Sequence, residues 1–587
     1  MLAGTIVVLL LLPLAVRAAD GPVTRWGYIE TSDGTQLRYT AVLPSAEGVF
    51  PVALIWSVYT DGVGPTGGYP PAESPVIAEA LLNAGYAILG VNMRGTGCSN
   101  GKWDLFQPAS DGYEVVEWAA AQGWSTGDVG MFGFSAPGIS QLLTAATHPP
   151  HLRAISPSNI AVDFYRDVAY PGGIPNVTFT GFWTLAARPA HEEASIPYAA
   201  VQGDPTCTAK IASKPVPSNY VDFVEMSQHP FDGELWDHYS PERILDEIDV
   251  PILTCQAMQD DQVSSRATGW LDHVDAAQAW TVLTNGPHGT CDDYTSPFTD
   301  LSVRFFDRYV RGSPNDFESE AHVQIWHETT HDDEAGTNTP GWVERHTAWP
   351  VAVEPTAFYL RTAGELSSSA PSGNEAADSY LYPLPSSSME SNEYAPSNAG
   401  WKIPQAPGGF AAYTSQPLPS DVNVFGPGSV DLWFSSAATD TDLQVTLTEV
   451  RPGGEEVYVQ RGWLRASHRA LDAARTTALR PYHSHLAEDA APLPAGEAVP
   501  LRVELNPLFY TFRSGSRIRL YVEAPVGLTG LFGFDVLKTP AINRILHDRL
   551  HVSKLVLGVV PGATAGASAP GCDTVASQPC RRDPLGL

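Results

Sequence analysis

Cationic side chains are what this sequence has least of. Lysine and arginine number 34 against 65 aspartates and glutamates, a formal net charge of −31 with a pI near 4.7. Phosphate backbones and anionic lipid surfaces are bound largely through cationic contacts, so this balance excludes nucleic acid and acidic membranes as partners. It favours solubility and says nothing of mechanism. Long apolar runs are also lacking: the longest, Ile6 to Val16, falls short of the roughly 20 residues that cross a bilayer. That run ends in Val-Arg-Ala-Ala, the pattern of a secretory signal over 1–19 cleaved after Ala18 or Ala19, although the usual basic leader is missing. No long internal repeat is present. Cysteine is sparse, and in an exported chain the six, Cys98, Cys207, Cys255, Cys291, Cys572 and Cys580, are disulfide candidates. Cys572 and Cys580 are the best pair, and Cys255 and Cys291 flank the two later segments of interest; connectivity stays open.

At 587 residues and 43% hydrophobic content, the chain has material for two or three domains with separate cores. Its first part alternates strands and helices, the grammar of a mostly parallel sheet covered on both faces. Gly27 to Leu43 reads as a hairpin about Ser32-Asp33-Gly34, followed by the buried strands Pro51 to Trp56 and Tyr86 to Val91. Asp111 is placed to cap a helix over Gly112 to Gln122. Residues 161–245 then turn rich in aromatics, prolines and short helical pieces, which reads as a helical cap inserted into the α/β domain of 20–160 and 246–345. From about Thr356 the pattern is all-β, with segments such as Val430 to Phe434, Leu443 to Val450 and Arg517 to Val522 separated by turn residues. Residues 350–560 therefore read as a β-sandwich, a jelly roll. The small-residue, Pro-rich end, 561–587, is expected to be disordered apart from any Cys572–Cys580 loop.

The chemistry centres on Gly133-Phe134-Ser135-Ala136-Pro137-Gly138, where an apolar strand gives way at once to a helix. Small residues flank the serine because strand and helix backbones approach closely at a nucleophile elbow, and the serine sits in a strained turn. The second glycine comes one place later than in the usual G-x-S-x-G, with Pro137 in its position; the first helical turn has no use for that N–H. The N–H of Ala136, at the helix N-terminus, is aimed where an oxyanion forms. In an α/β-hydrolase the partners follow in the order acid, then histidine, on loops after later strands. Asp260 follows the strand Ile252 to Cys255, with Asp261 as its rival, and His288 follows the strand Trp280 to Thr284 in Asn285-Gly286-Pro287-His288-Gly289. A serine hydroxyl is a poor nucleophile until an imidazole takes its proton, and a carboxylate fixes that imidazole's tautomer. His148, His151, His229, His238 and His273 lack such a loop and read as surface or packing residues. His483 and His485 make too small a ligand set for a metal.

Ser135 in its Gly-Phe-Ser-Ala-Pro-Gly setting, Arg94-Gly95-Thr96-Gly97, Asp260, Gly286-Pro287-His288, and in the β-domain Gly462 to Arg469 and Phe512 to Ile518 together resemble the CocE/NonD hydrolases. That family groups cocaine esterase, X-Pro dipeptidyl-peptidases, α-amino-acid ester hydrolases and glutaryl acylases. The likeness runs from about Trp26 to Val560 and implies an α/β-hydrolase domain, a helical cap and a jelly roll. It also implies an oxyanion hole made by a tyrosine hydroxyl, here Tyr59, with the Ala136 N–H. The family's amino-acid ester hydrolases carry acids close to the triad aspartate; here Gln262 and Val263 stand two and three positions on, which disfavours substrates with a free α-amino group and X-Pro peptidase activity with them, while the adjoining Asp261 weighs the other way. Trp56, Phe164, Tyr165, Trp183 and Trp236 are candidates for an aromatic acyl pocket under the cap. The reading is a secreted or periplasmic serine hydrolase of small ester or amide substrates, needing no metal or organic cofactor. Its alternatives are an X-Pro peptidase, a β-lactam acylase, or a non-catalytic carbohydrate- or surface-binding protein.

Overall fold

A computed structural model describes residues 21–59, 74–103, 109–214, 218–332, 334–384, 399–526 and 532–586. The signal expected over 1–19 and the end of the loop after Trp56, from Thr60 on, lie outside the described residues. The first domain is built on strands β1 (Val23–Glu30), β2 (Gln36–Leu43), β3 (Phe50–Ser57), β4 (Ala87–Asn92), β5 (Ser125–Phe134), β6 (Leu152–Ser158), β7 (Ile252–Ala257), β8 (Ala279–Thr284) and β9 (Val323–His327). They lie in one sheet in the order β1-β2-β4-β3-β5-β6-β7-β8-β9, closed by Trp342–His346. The β1–β2 hairpin pairs antiparallel, and β4 through β9 run parallel. The parallel strands are near-continuous apolar runs, such as Ile252 to Ala257, whose six residues are all buried, as a sheet covered on both faces demands. Helices α1 (Pro75–Asn83), α2 (Ala109–Ala120) and α3 (Ala136–Ala145) supply part of that cover. Asp111 does not cap α2 from outside. It lies in the first turn, buried, with its carboxylate taken by Nε and Nη2 of Arg94, each at 2.6 Å; a bidentate guanidinium outcompetes a capping bond.

Between β6 and β7 the chain forms the helical cap, with α4 (Val177–Phe182), α5 (Arg188–Gln202), α6 (Cys207–Ser213), α7 (Ser218–Gln228) and α8 (Glu234–Tyr239). The cap is pinned to the hydrolase domain near α6. A disulfide joins Cys98 to Cys207, and Asp204 receives the Tyr28 hydroxyl at 2.6 Å and lies 3.3 Å from Nε of Arg38. Helix α9 (Pro297–Tyr309) follows β8, opened by a reciprocal Ser296–Thr299 capping box and burying Phe298, Leu301, Phe305 and Phe306.

Among the described residues, the second domain is a twelve-stranded, almost wholly antiparallel array beginning at Glu354–Arg361. Its central strands are Val422–Ser436, Asp442–Val450, Glu455–Arg465, Val499–Phe512 and Arg517–Glu523. Leu432, Phe434, Leu443, Val445, Val503 and Leu520 are among the residues that meet in its core. The expected disorder of 561–587 is corrected here. Cys580–Arg582 adds a strand alongside Glu455–Val457, a Cys572–Cys580 disulfide closes its loop, and Arg519 grips Asp583 while Arg581 grips Glu456. Buried ion pairs anchor a segment whose own side chains are too small to form a core.

Candidate active site

Ser135 stands between β5 and α3 with φ of +62° and ψ of −135°, a backbone conformation that a non-glycine residue holds only when its surroundings impose it. They do so here. The Ser135 N–H donates to the Ser158 carbonyl at 3.0 Å and the Ser135 carbonyl accepts from Ile139 at 2.9 Å. Both glycines of the motif are sterically required. A Cβ on Gly133, whose φ is +132°, would sit 3.0 Å from the Pro137 Cβ; one on Gly138 would sit 2.6 Å from the Ile160 side chain and 3.0 Å from the Ser158 carbonyl. The displaced second glycine is thus the one that lets α3 lie against the end of β6. Ala136 is the first residue of α3, so its N–H is among those the helix itself does not use.

Asp260 follows β7 and His288 follows β8, and the structure brings them together. His288 Nδ1 lies 2.7 Å from Asp260 Oδ2, with side chains 6% and 1% exposed. The Asp260 carboxylate is saturated on both sides. Oδ2 also accepts from Nδ2 of Asn159 at 2.9 Å, and Oδ1 accepts the N–H groups of Gln262 at 2.9 Å and Val263 at 3.0 Å. Burial would raise this carboxyl; the His288 charge and hydrogen bond, with the two backbone N–H groups, outweigh it and hold Asp260 below the usual carboxylate range. The rival acid, Asp261, is not the one that meets His288. The other ring nitrogen, His288 Nε2, is buried and has no hydrogen-bond partner among the described residues. The imidazole packs edge-on against Phe134, the residue before Ser135, at 5.2 Å between ring centroids.

Tyr59, in the loop after β3, is partly buried against the domain core and its hydroxyl oxygen accepts the indole N–H of the cap residue Trp183 at 3.0 Å. The five aromatics proposed for an acyl pocket lie in or against one hydrophobic cluster. Trp56 is 1% exposed and its ring lies against Gly112 of α2, where an added Cβ would meet it at 2.6 Å; it is a core residue under the helices. Tyr165 stacks on Tyr170, Trp236 meets both edge-on, and their polar atoms are spent on the carbonyls of Pro230 and His229. Phe164 is buried as well, its N–H donating to Ser240. Rings this large in a helical insert have to find cover, and most find it in one another.

Several residues around the site were not singled out by the sequence. Asn159 supports Asp260 from a left-handed position directly after β6, with φ of +43°; a polar residue tolerant of that conformation at a strand end is the one signal available. Gln259 accepts the Gly286 N–H at 3.1 Å and so ties the acid loop to the histidine loop. Gln460 of the β-domain donates to the Met258 carbonyl at 2.7 Å, bracing the acid loop from the other domain. Asp292, four residues after His288, is buried beside Ser74 and Ser158, and burial with repulsion from Asp293 pushes its carboxyl up to about 7. Cys255, within β7, is joined to Cys291, a pairing whose connectivity the sequence left open. Farther away, His483, His485 and His468 form a buried cluster with His468 Nδ1 and His485 Nδ1 3.1 Å apart. Among the described residues no group of three or more His, Cys, Asp or Glu side chains is placed to hold a metal, and no helix is long and apolar enough to cross a membrane.

Two family models match the chain, the X-Pro dipeptidyl-peptidase (S15 family) model over residues 33–290 and the X-Pro dipeptidyl-peptidase C-terminal non-catalytic domain model over 315–525. A Mycobacterium bovis protein described as a serine esterase is 27% identical over 558 residues, covering 82% of this chain and 84% of its own. The cocaine esterase of a Rhodococcus species is 25% identical over 590 residues, covering 90% and 97%. Among solved structures, a CocE/NonD family hydrolase from Staphylococcus aureus superposes with a TM-score of 0.73 at 22% identity, covering 94% of this chain and 98% of that one. An α-amino-acid ester hydrolase does so with a TM-score of 0.71 at 18% identity, covering 93% and 98%; at these identities the two structures attest the fold. An α/β-hydrolase domain with a strained serine at its elbow, a helical cap and a trailing jelly roll defines a serine hydrolase. Within that class, the chain belongs to the CocE/NonD family.

Proposed function

We propose that this hydrolase cleaves carboxylic esters through an acyl-Ser135 intermediate. His288 is the general base and acid, Asp260 is its orienting carboxylate, and the Tyr59 hydroxyl with the Ala136 N–H stabilises the tetrahedral oxyanion. The observation that carries the reading is the Asp260–His288 bond of 2.7 Å joined to a buried His288 Nε2 that no described protein group occupies. A carboxylate on Nδ1 fixes the proton there and leaves Nε2 as the lone-pair face, the tautomer a general base requires. In the forward step Nε2 takes the Ser135 proton as Oγ bonds to the acyl carbon; the same proton then passes to the departing alkoxide. Water repeats the sequence on the acyl-enzyme.

An ester is favoured over peptides with a free amino terminus. Two and three positions after Asp260 stand Gln262 and Val263, whose N–H groups serve the carboxylate and whose side chains offer no acid to a substrate ammonium; the one acid adjoining the site in sequence is Asp261. The names of the relatives, a serine esterase and a cocaine esterase, agree with this choice, while the S15 model makes X-Pro amides the competing class. Export is supported by the pairing of all six cysteines, Cys98–Cys207, Cys255–Cys291 and Cys572–Cys580, a pattern that persists in oxidising compartments.

The test is Ser135→Ala assayed on p-nitrophenyl esters beside X-Pro p-nitroanilides, with fluorophosphonate labelling of both proteins. Loss of ester turnover by several orders of magnitude, with loss of labelling, is the expected result. An alanine variant that still turns over would refute the nucleophile, and anilide turnover exceeding ester turnover would refute the substrate class.

A further inference from the structure

The bond from Trp183 to Tyr59 is the feature of the cap that reaches the chemistry, and it has an asymmetry. An indole N–H can only donate, whereas a phenol both accepts and donates. At 3.0 Å from Trp183 Nε1, the Tyr59 oxygen is the acceptor in this bond. A phenol that accepts a hydrogen bond is polarised into a stronger donor, by something like 10–30% per bond in a low-dielectric site. We infer that Trp183 is a positioning residue for catalysis, holding and polarising the Tyr59 hydroxyl from the cap. This rests on the reading of Tyr59 as an oxyanion donor.

Local structure supports the assignment. Trp183 opens a π-helical turn, Trp183–Ala187, directly after α4. The added residue per turn breaks the α-helical register of side chains, an interruption frequent at functional sites. Its neighbours Phe182 and Leu185 are 47% and 45% exposed, yet Trp183 itself is turned inward, partly buried against the hydrolase core with its ring 6.5 Å from Trp103. Tyr59 and Trp183 are 124 positions apart, one in the hydrolase domain and the other in the cap. Since the charge on the carbonyl oxygen grows only in the transition state, a stronger Tyr59 donor acts on kcat and leaves KM nearly unchanged.

Trp183→Phe keeps an aromatic ring and deletes the N–H. With live sites counted by fluorophosphonate titration, so that any misfolded fraction drops out, the expected result is a kcat about 3- to 10-fold lower with KM within twofold. The affinity of a boronic acid transition-state analogue should fall by the same factor. Tyr59→Phe should cost about 10²-fold, and the double variant should be no slower than Tyr59→Phe alone, because the indole acts only through the phenol. A wild-type rate in Tyr59→Phe would overturn the oxyanion assignment and this inference with it. A loss in Tyr59→Phe with Trp183→Phe at wild-type kcat, or with a raised KM and altered acyl-chain preference that multiply in the double variant, would overturn the inference alone and leave Trp183 as a pocket wall.

Discussion

Replacing Asp260 by asparagine separates the electrostatic role of the site from its geometry. The four bonds to the carboxylate fall two on each oxygen. Oδ1 accepts two backbone N–H groups that cannot move, so the oxygen of an asparagine amide has to stay on that side. Its NH2 then faces His288 Nδ1 and Asn159 Nδ2. The Asn159 amide can turn over, since its Oδ1 is buried and without a partner among the described residues, and it then accepts from the new amide, so the fold tolerates the change. His288 has no such escape without cost: Nδ1 now meets a donor and becomes the lone-pair nitrogen, the proton moves to Nε2, and the ring can no longer take a proton from Ser135. A wrong tautomer of this kind costs roughly 10⁴ in kcat, which is about 5.4 kcal/mol of barrier. Steady-state hydrolysis of p-nitrophenyl butyrate reads it, with a melting curve to confirm that stability is near wild type. A residual rate within tenfold of wild type in a folded Asp260→Asn protein would refute the argument that Asp260 sets the His288 tautomer.

The remaining expectations concern stability. Cys255–Cys291 closes a segment of 36 residues that contains both Asp260 and His288, for which chain entropy estimates about 4 kcal/mol. The Cys255→Ala/Cys291→Ala variant should therefore melt lower and lose activity at temperatures where the parent is intact; equal melting and equal heat-inactivation rates would show that the two loops are held without it. The histidine cluster should make the protein acid-labile. Burial lowers His468 and His483 to about 4, and His485 is held well below its ordinary value. A histidine that binds its proton more weakly when folded leaves stability intact above the unfolded value near 6.5 and lowers it as pH falls from there toward 4. Urea midpoints should drop between pH 7 and pH 5, and the drop should shrink in His468→Gln; a pH-independent midpoint would contradict it.

What was legible in the sequence was whatever short-range rules dictate. Gly133 and Gly138 could be read because a serine held at positive φ between strand and helix leaves no room for Cβ atoms, and the structure locates the clashes. The Asp260–His288 contact could be anticipated because adjacent parallel strands, β7 and β8, deliver the loops after them to one edge of the sheet. The illegible residues act across long separations. Asn159 reaches Asp260 over 101 positions, Gln460 reaches Met258 over 202, and Arg581 reaches Glu456 over 125. A small-residue tail reads as disordered until the buried glutamate it pairs with is known. Composition can show that a segment has groups to bury, but the partner that buries them is chosen by topology. For this enzyme the consequence is specific: Asp260 and His288 meet where local pattern places them, while Asn159 and Gln460, which hold Asp260 and its loop, sit where only the assembled sheet and domains can bring them.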